Sequence, residues 1–158
     1  NMLGPLCNPA GVQRQLVGVF APAPVPLMAG ALARLGSTAA LVVHGDGFDE
    51  IAISGPTTAA HVHERQVQPA ALTPADAGLP SHPAAALKGG DPAHNAAALR
   101  ALLAGARGAY HDIVVLNAAA ALTLTDPALS LPAAAARAAE ALASGAAAAT
   151  LARWTEFR

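Results

Sequence analysis

Two adjacent acidic residues, Asp49 and Glu50, are the strongest candidates for chemistry in this sequence. They follow a β-rich apolar run at 39–43, in a loop that contains Gly45 and Gly47. Loops at the ends of strands are where α/β folds place catalytic and metal-binding groups. Mg²⁺ takes one or two protein carboxylates and completes its shell with water and substrate phosphate oxygens. A magnesium site for a pyrophosphate-containing substrate is one interpretation of the pair; taken as an isolated Asp-Glu, the pair favours a solvated acidic turn.

A second candidate is the segment near the start that holds Gly4, Pro5, Asn8 and Pro9. It combines a flexible glycine with rigid prolines, as expected where backbone approaches a ligand or forms a hinge. The competing interpretation is an ordinary turn before a strand.

Other polar residues are interpreted as structural. His61 and His63 would share one face of a strand, but without a third ligand nearby we favour a hydrated hairpin face over a metal site. His44 is predicted to orient the acidic loop. Asp91, after two glycines, is predicted to cap a helix, because at the cap it would occupy the free amides and repel a phosphate.

The acidic loop is positioned by a predicted βαβ unit. The strands are 15–20 and 39–43, and apolar residues recur between them at helical spacing, at Val25, Met28, Leu32 and Leu35. Gly36 is predicted to end the helix. Such a crossover is right-handed and makes the two strands parallel.

Beyond the loop, 51–54 is predicted to be a further strand. A hairpin follows, with arms at 60–64 and 67–71 and Arg65 and Gln66 at its turn. Residues 73–83, rich in Pro, Gly and Asp, are predicted to be a connecting loop that includes one helical turn.

From Asp91 onward the pattern is helical. Helices are predicted at 92–104, with Leu99, Leu102 and Leu103 inward, at 110–123, from a cap at Ser130 to a break at Ser144-Gly145, and at 146–157. The second is apolar nearly all round, so we expect it to be buried and its Asn117 to hydrogen-bond to a neighbouring loop. The whole predicts an α/β fold, with a mixed, largely parallel sheet flanked by Ala-rich helices.

Composition narrows the class of protein. A net charge of −1 with 12% charged residues disfavours partners such as nucleic acid or an acidic membrane. His111, Asp112 and Asn117 interrupt the longest apolar runs. The uninterrupted stretches are therefore well short of the roughly 18 to 20 apolar residues that a membrane span needs. Cys7 is the only cysteine, so an intrachain disulfide is impossible; we expect a reducing cytoplasm and a buried Cys7.

Several of these segments carry a resemblance to a known family. The segments are Asn-Met-Leu-Gly-Pro-Leu-Cys-Asn-Pro-Ala at 1–10, His-Gly-Asp-Gly-Phe-Asp-Glu at 44–50, Gly-Pro-Thr at 55–57 and Leu-Asn-Ala-Ala-Ala-Ala at 116–121. Together they resemble the second half of anthranilate phosphoribosyltransferase. The acidic loop departs from the family by being one residue shorter between His-Gly and Asp-Glu.

The resemblance implies roles for both candidate segments. Asp49 and Glu50 would coordinate Mg²⁺ ions that escort phosphoribosyl pyrophosphate (PRPP), and Gly4, Pro5, Asn8 and Pro9 would lie near anthranilate. Both segments would border one cleft at the rim of the sheet. The family needs no covalent nucleophile, and the sequence offers none, so no catalytic residue is assigned.

The resemblance also implies that residues 1–158 are the carboxyl-terminal part of a nucleoside phosphorylase/phosphoribosyltransferase-like α/β domain. The N-terminal helical domain, the glycine-rich phosphate loop and the arginine that faces anthranilate would lie upstream. The parent would be a cytoplasmic homodimer of tryptophan biosynthesis, dimerised through the missing domain, and the chain alone is expected to be inactive. The alternatives are a pyrimidine nucleoside phosphorylase-like enzyme, a noncatalytic nucleic-acid-binding relative, which should be strongly basic, and a truncated domain with only a packing role.

Overall fold

The computed structural model describes residues 3–157; Asn1 and Met2, which begin the first resembling segment, lie outside the described residues. The strands are β1 (Arg14–Gly18), β2 (Ala39–Gly45), β3 (Thr57–His63) and β4 (Gln66–Leu72). The α-helices are α1 (Pro24–Arg34), α2 (Pro92–Leu103), α3 (Ala109–Thr125), α4 (Leu131–Ala143) and α5 (Ala146–Glu156). Short 3₁₀ turns lie at Gly4–Leu6, Pro74–Ala77 and Ala84–Leu87.

The strands form one mixed sheet in the order β1-β2-β3-β4. β1 and β2 are parallel and joined through α1, which confirms the βαβ unit and the mixed α/β class. The expectation of a largely parallel sheet is not met by these four strands, since β3 is antiparallel to both of its neighbours. The cause is the connections: a hairpin joins β3 to β4, and the link from Gly45 to Thr57 contains no helical crossover of the kind that parallel neighbours require.

The sheet is covered on both faces, which explains why β2 is apolar almost throughout. Ala40 and Val42 point into a core shared with α1, whereas Leu41 and Val43 point into a core shared with α3 and α4. All four are at most 2% exposed. The alanine-rich helices pack closely because small side chains allow it, and the buried alanines of α3 and α4 are Ala119, Ala120, Ala134, Ala135 and Ala138.

The predicted strand at 51–54 is wrong, because these residues form a buried loop. Ile51, Ala52 and Ile53 are fully buried, yet no neighbouring strand pairs with them in the described part of the chain. Side chains satisfy their backbone groups instead: the Ala52 amide donates to Thr57 Oγ1 at 2.9 Å. A short apolar run is therefore compatible with a loop when side chains replace the ladder of a sheet.

The predicted hairpin is confirmed, with its turn shifted by one residue. The turn lies at Glu64 and Arg65 instead of Arg65 and Gln66, and both have positive φ angles of 47° and 66°. Two successive positive φ angles are typical of the tight turns whose twist matches that of the flanking strands.

The helices begin and end close to the predicted positions. Asp91 Oδ1 caps α2 by accepting the His94 amide at 2.8 Å, and Ser130 Oγ caps α4 by accepting the Ala133 amide at 3.4 Å. Gly145, in the left-handed conformation, separates α4 from α5. Within the described part of the chain, no helix has the length and apolar character needed to span a membrane.

Two expectations of burial are wrong. Leu99 is 36% exposed, and Leu102 is the one buried residue of α2, because that helix packs only lightly on the rest. Cys7 is exposed, because the 3₁₀ turn before it leaves it on the surface ahead of β1.

Candidate functional site: the acidic loop and its adjoining hollow

The acidic loop closes on itself directly after β2. The Gly45 amide donates to the Glu50 carbonyl at 3.0 Å, and the Phe48 amide donates to the Gly45 carbonyl at 2.9 Å. Gly47 has a φ of +80°, a conformation that glycine adopts without strain. The segment between these bonds is a tight ring that leaves the side chains of Asp49 and Glu50 exposed to solvent.

The ring lies against the ends of both parallel strands. A Cβ atom on Gly18 would come within 2.1 Å of the Asp49 carbonyl oxygen, and one on Gly45 within 2.5 Å of the Glu50 carbonyl oxygen. Neither approach is possible for a real side chain. Glycine at the carboxyl end of β1 and of β2 is therefore what lets the acidic residues lie across the strand ends.

The side chain of Asn117, in α3, hydrogen-bonds to the loop directly after the acidic pair. Its Oδ1 accepts the Ile51 amide at 2.9 Å, and its Nδ2 donates to the Ile51 carbonyl at 3.0 Å and to the Ile113 carbonyl at 2.9 Å. This confirms the prediction that Asn117 bonds to a neighbouring loop. The residue that follows Glu50 is thus fixed to a buried helix.

Both carboxylates are free to take a ligand. Within residues 3–157, the structure gives neither Asp49 nor Glu50 a side-chain hydrogen bond or ion pair. The same residues contain no group of three or more His, Cys, Asp and Glu side chains placed to hold a metal. This donor set fits Mg²⁺, for which two carboxylates suffice when water and substrate oxygens complete the shell, better than Zn²⁺, which needs three or four protein ligands.

Glu50 also borders a hollow of about 330 Å³ that the sequence did not reveal. Its other walls are Phe48, Leu87, Tyr110, Ile113, Val114 and Asn117. Tyr110 is 41% exposed. The hollow thus sets an apolar and aromatic surface beside a carboxylate, and Phe48, next to the acids in sequence, was the one available signal of it.

A second hollow shares Leu87 and Tyr110 with the first as lining residues. That hollow, also of about 330 Å³, is lined by Lys88, His94 and Asn95. Asn95 is engaged with Gly90, accepting its amide at 2.9 Å and donating to its carbonyl at 3.1 Å. These bonds support the structural interpretation of the Gly-Gly-Asp helix start.

The segment with Gly4, Pro5, Asn8 and Pro9 lies elsewhere. Pro5 and Asn8 line a hollow of about 150 Å³ with residues from the end of α1 and the start of β1. Asp49 instead abuts Gly18, at the other end of β1 and roughly 13 Å along the strand by its rise per residue. The structure therefore does not bring the two segments into the one cleft that the sequence led us to expect, because β1 runs between them.

The histidines have separate surroundings. His44 Nδ1 bonds to the Val19 carbonyl at 2.8 Å, so this ring ties the end of β2 to the end of β1 and contacts neither acid. His61 and His63 line a hollow of about 590 Å³ with Gln66, Gln68 and the end of α3. Partial desolvation of the ring in this hollow lowers the pKa of His61, although the residue remains exposed to solvent on one side.

A partly buried network of charged and polar side chains at the start of α3 was missed from sequence. One carboxylate oxygen of Asp112 is hydrogen-bonded to His82 Nε2 at 2.7 Å, and the other is hydrogen-bonded to His111 Nδ1 at 2.8 Å. Arg107 lies 2.6 Å from His111 Nε2. Because arginine only donates, His111 Nε2 accepts and its Nδ1 carries the proton that faces Asp112.

This network of side chains is a second anchor for the buried loop at 51–54. The His82 amide donates to the Ile53 carbonyl at 3.0 Å, two residues beyond the point where Asn117 binds. The contact between His82 and Asp112 could not be predicted from a short-range pattern, since the two residues lie 30 positions apart.

Comparison with known proteins gives consistent matches. The sequence model of a family described as "Glycosyl transferase family, a/b domain" matches residues 1–148. The anthranilate phosphoribosyltransferase of Rhodospirillum rubrum is 54% identical over 154 residues, which are 97% of this chain and 44% of that protein. That of Parvibaculum lavamentivorans is 53% identical, with 97% of this chain and 45% of that protein covered. The chain thus spans less than half the length of the curated relatives it matches.

Solved structures agree. The crystal structure of anthranilate phosphoribosyltransferase from Thermus thermophilus matches 97% of this chain and 45% of that one, with a TM-score of 0.88 and 44% identity. The enzyme from Saccharomyces cerevisiae, solved in complex with PRPP and Mg, matches 90% of this chain and 42% of that one, with a TM-score of 0.81 and 27% identity.

Proposed function

Because this chain belongs to the glycosyl transferase family, in its α/β domain, we propose that it is the carboxyl-terminal part of an anthranilate phosphoribosyltransferase. The proposed parent transfers the phosphoribosyl group of PRPP to the amine of anthranilate in tryptophan biosynthesis. The observation that carries the proposal is the acidic loop: two carboxylates without partners in the described chain, held across the ends of two parallel strands.

In the proposed reaction the anthranilate nitrogen forms a bond to the anomeric carbon of ribose while the bond from that carbon to pyrophosphate breaks. The electron pair of the broken bond leaves with pyrophosphate, and the amine loses a proton. Asp49 and Glu50 would hold a Mg²⁺ ion, because carboxylates facing a pyrophosphate directly would repel it, and the bound ion would supply neutralisation of the leaving group's charge.

The rest of the chain contributes positioning. Catalysis of this kind depends on fixing the two reactants and the charge that develops between them, so the rigid support of the acidic loop matters as much as its charge. The arginine that faces anthranilate and the glycine-rich phosphate loop belong to the upstream part of the proposed parent. We assign Gly4, Pro5, Asn8 and Pro9 near anthranilate only in that complete protein, where the upstream part would join the two sides of the sheet.

The cellular setting is part of the same proposal. We place the parent in the cytoplasm, as a homodimer formed through a helical domain outside this chain. A net charge of −1 supports small-molecule substrates over nucleic acid as partners.

A chimera tests the function. This chain would replace the matching 45% of the T. thermophilus enzyme, and the product of anthranilate and PRPP would be followed by the loss of anthranilate fluorescence. The chimera should be active with Mg²⁺, and Asp49→Asn or Glu50→Gln should lower kcat/KM by roughly 100-fold or more, with partial recovery at high Mg²⁺.

Asp46→Asn is the matched control, because it removes one exposed carboxylate from the same loop. It should leave kcat/KM within about threefold of the parent chimera. A folded chimera without activity, or one in which all three variants behave alike, contradicts the proposal.

A further inference from the structure

Asn117 uses both amide hydrogens and its side-chain oxygen in hydrogen bonds. The oxygen accepts the Ile51 amide, and Nδ2 donates to two carbonyls, those of Ile51 and Ile113. The distances are 2.9, 3.0 and 2.9 Å, all within the range of good hydrogen bonds. Asn117 thus binds the backbone N–H and C=O of Ile51. Its third bond, to the Ile113 carbonyl, ties the Asn117 side chain to the preceding turn of α3.

The clamped residue lies where hydrogen bonds are hard to replace. Ile51 is fully buried, so solvent does not reach it to substitute for a lost partner. A buried amide or carbonyl left without a partner is costly. No other side chain of similar size both donates two hydrogens and accepts one; aspartate accepts only, and leucine does neither.

The clamp lies one residue from the acidic pair. Ile51 follows Glu50, and the Glu50 carbonyl is bonded back to Gly45 at the end of β2. The loop is therefore pinned on one side by the strand and on the other by α3. The helix is itself held at its start by Asp112 and His82, so Asn117 is attached to a rigid element.

We propose that Asn117 is a positioning residue for the acidic pair, which sets the affinity for a divalent cation by fixing the backbone at Ile51. The inference rests on the proposed metal role of Asp49 and Glu50 and adds a residue that does not touch the ligand. A loop held at both ends keeps the two carboxylates at one separation, so the cation does not have to order them. Groups that orient metal ligands in this way typically change affinity by roughly 10- to 100-fold when removed.

The experiment uses this chain, with Mn²⁺ and inorganic pyrophosphate as probes and amide relaxation as the spectroscopic readout. Asn117→Leu removes all three bonds with a larger side chain that is likewise branched at Cγ, and Asn117→Ala removes them with a small helix-forming residue that keeps α3 intact. Both should weaken Mn²⁺ binding at the loop by about tenfold or more. Both should also increase hydrogen exchange at the Ile51 amide.

Two controls separate positioning from general destabilisation. Asn95→Leu removes a comparable amide clamp, that on Gly90, at a site away from the acids. Leu124→Ala opens a cavity at the far end of the same helix. Each should leave the Mn²⁺ affinity of the loop unchanged when measured well below its melting temperature.

The outcomes distinguish the inference from the proposed function. If the unsubstituted chain binds Mn²⁺ through Asp49 and Glu50 and both Asn117 variants bind it equally well, the positioning role is wrong while the metal role stands. If the unsubstituted chain shows no Mn²⁺ effect, or shows one that Asp49→Asn does not change, the metal role is overturned and the inference with it.

Discussion

Gly18 lies at the point where the acidic loop meets β1, with no space for a side chain. We predict that Gly18→Ala pushes the Asp49 backbone away and costs about 1–3 kcal/mol of unfolding free energy, because the nearest atom is a backbone oxygen that cannot rotate aside. Denaturant unfolding measures the cost, and Mn²⁺ titration should show weaker binding at the loop.

Gly30→Ala is the control for this substitution. Gly30 lies inside α1, and a Cβ added there would have no atom within 4 Å, so alanine should stabilise the helix by about 0.5–1 kcal/mol. Equal effects of the two substitutions would show that the close approach of the loop is not maintained in solution.

His61 gives the protein a defined dependence on pH. Its folded-state pKa lies below the ordinary value of 6.5 because partial desolvation disfavours the charged ring, and solvent at the exposed side of the residue keeps the effect small. A group of this kind contributes stability that is present above the unfolded pKa and is lost as pH falls through the folded pKa. We therefore predict that stability falls less between pH 7 and pH 5 in His61→Gln than in the unsubstituted chain.

The test is denaturant unfolding at both pH values, with NMR titration of the His61 ring. His63→Gln removes an imidazole from the same strand face and serves as the control. A His61 pKa at or above 6.5, or an unchanged pH dependence in His61→Gln, would contradict the prediction.

Residue chemistry was predictable wherever it depended on short-range pattern. The position of Asp49 and Glu50 after a strand and the bonding need of Asn117 both follow from neighbours in sequence. The hollow beside Glu50 could not be predicted from neighbours in sequence, because one of its walls, Tyr110, lies some 60 positions further along the chain. The same holds for the contact between His82 and Asp112, which lie 30 residues apart, whereas Arg107 and His111 are only four residues apart.

At the scale of elements, the hairpin turn carries backbone strain. Glu64 and Arg65 both have positive φ angles, which side chains with a Cβ disfavour. Replacing them with Asn-Gly, the pair preferred in such turns, should raise the unfolding free energy by about 1–2 kcal/mol. The same pair placed one position later, at Arg65 and Gln66, should give less, because Gln66 is a strand residue.

Chemical denaturation of the two variants measures the difference. A larger gain from the shifted pair would place the turn where the sequence first predicted it, at Arg65 and Gln66. The sequence identified the hairpin from its alternating arms but placed the turn one residue late, since neither Glu nor Arg marks a positive φ.

The segment at 51–54 shows why a strand prediction can fail in a strongly apolar run. Burial was predicted correctly, and Ile51 and Ile53 are fully buried. Pairing was not, because Asn117 and Thr57 supply the bonds that a neighbouring strand would have made. The hydrophobic pattern predicts burial, whereas the groups that hydrogen-bond to the backbone are set by which residues come together in the folded chain.

For the whole molecule, the sheet has one edge better protected than the other. β4 carries Pro69, which has no N–H to offer a further strand, whereas β1 contains no proline. Within residues 3–157, β1 pairs only with β2. We predict that the isolated chain self-associates with rising concentration through this edge.

Sedimentation velocity over a concentration series measures the association. The chimera with the T. thermophilus enzyme is the comparison, because the proposed upstream part would cover the edge. An isolated chain that stays monomeric throughout would show that β1 is protected by some other means.

The central claim is that Asp49 and Glu50 hold a divalent cation against a diphosphate, and Mn²⁺-induced broadening of amide signals tests it most directly. With pyrophosphate present, broadening should centre on residues 46–51, be reversed by excess Mg²⁺, persist in Asp46→Asn and vanish in the Asp49→Asn, Glu50→Gln double variant. Broadening that is unchanged in the double variant, or that centres on another part of the chain, would contradict the account.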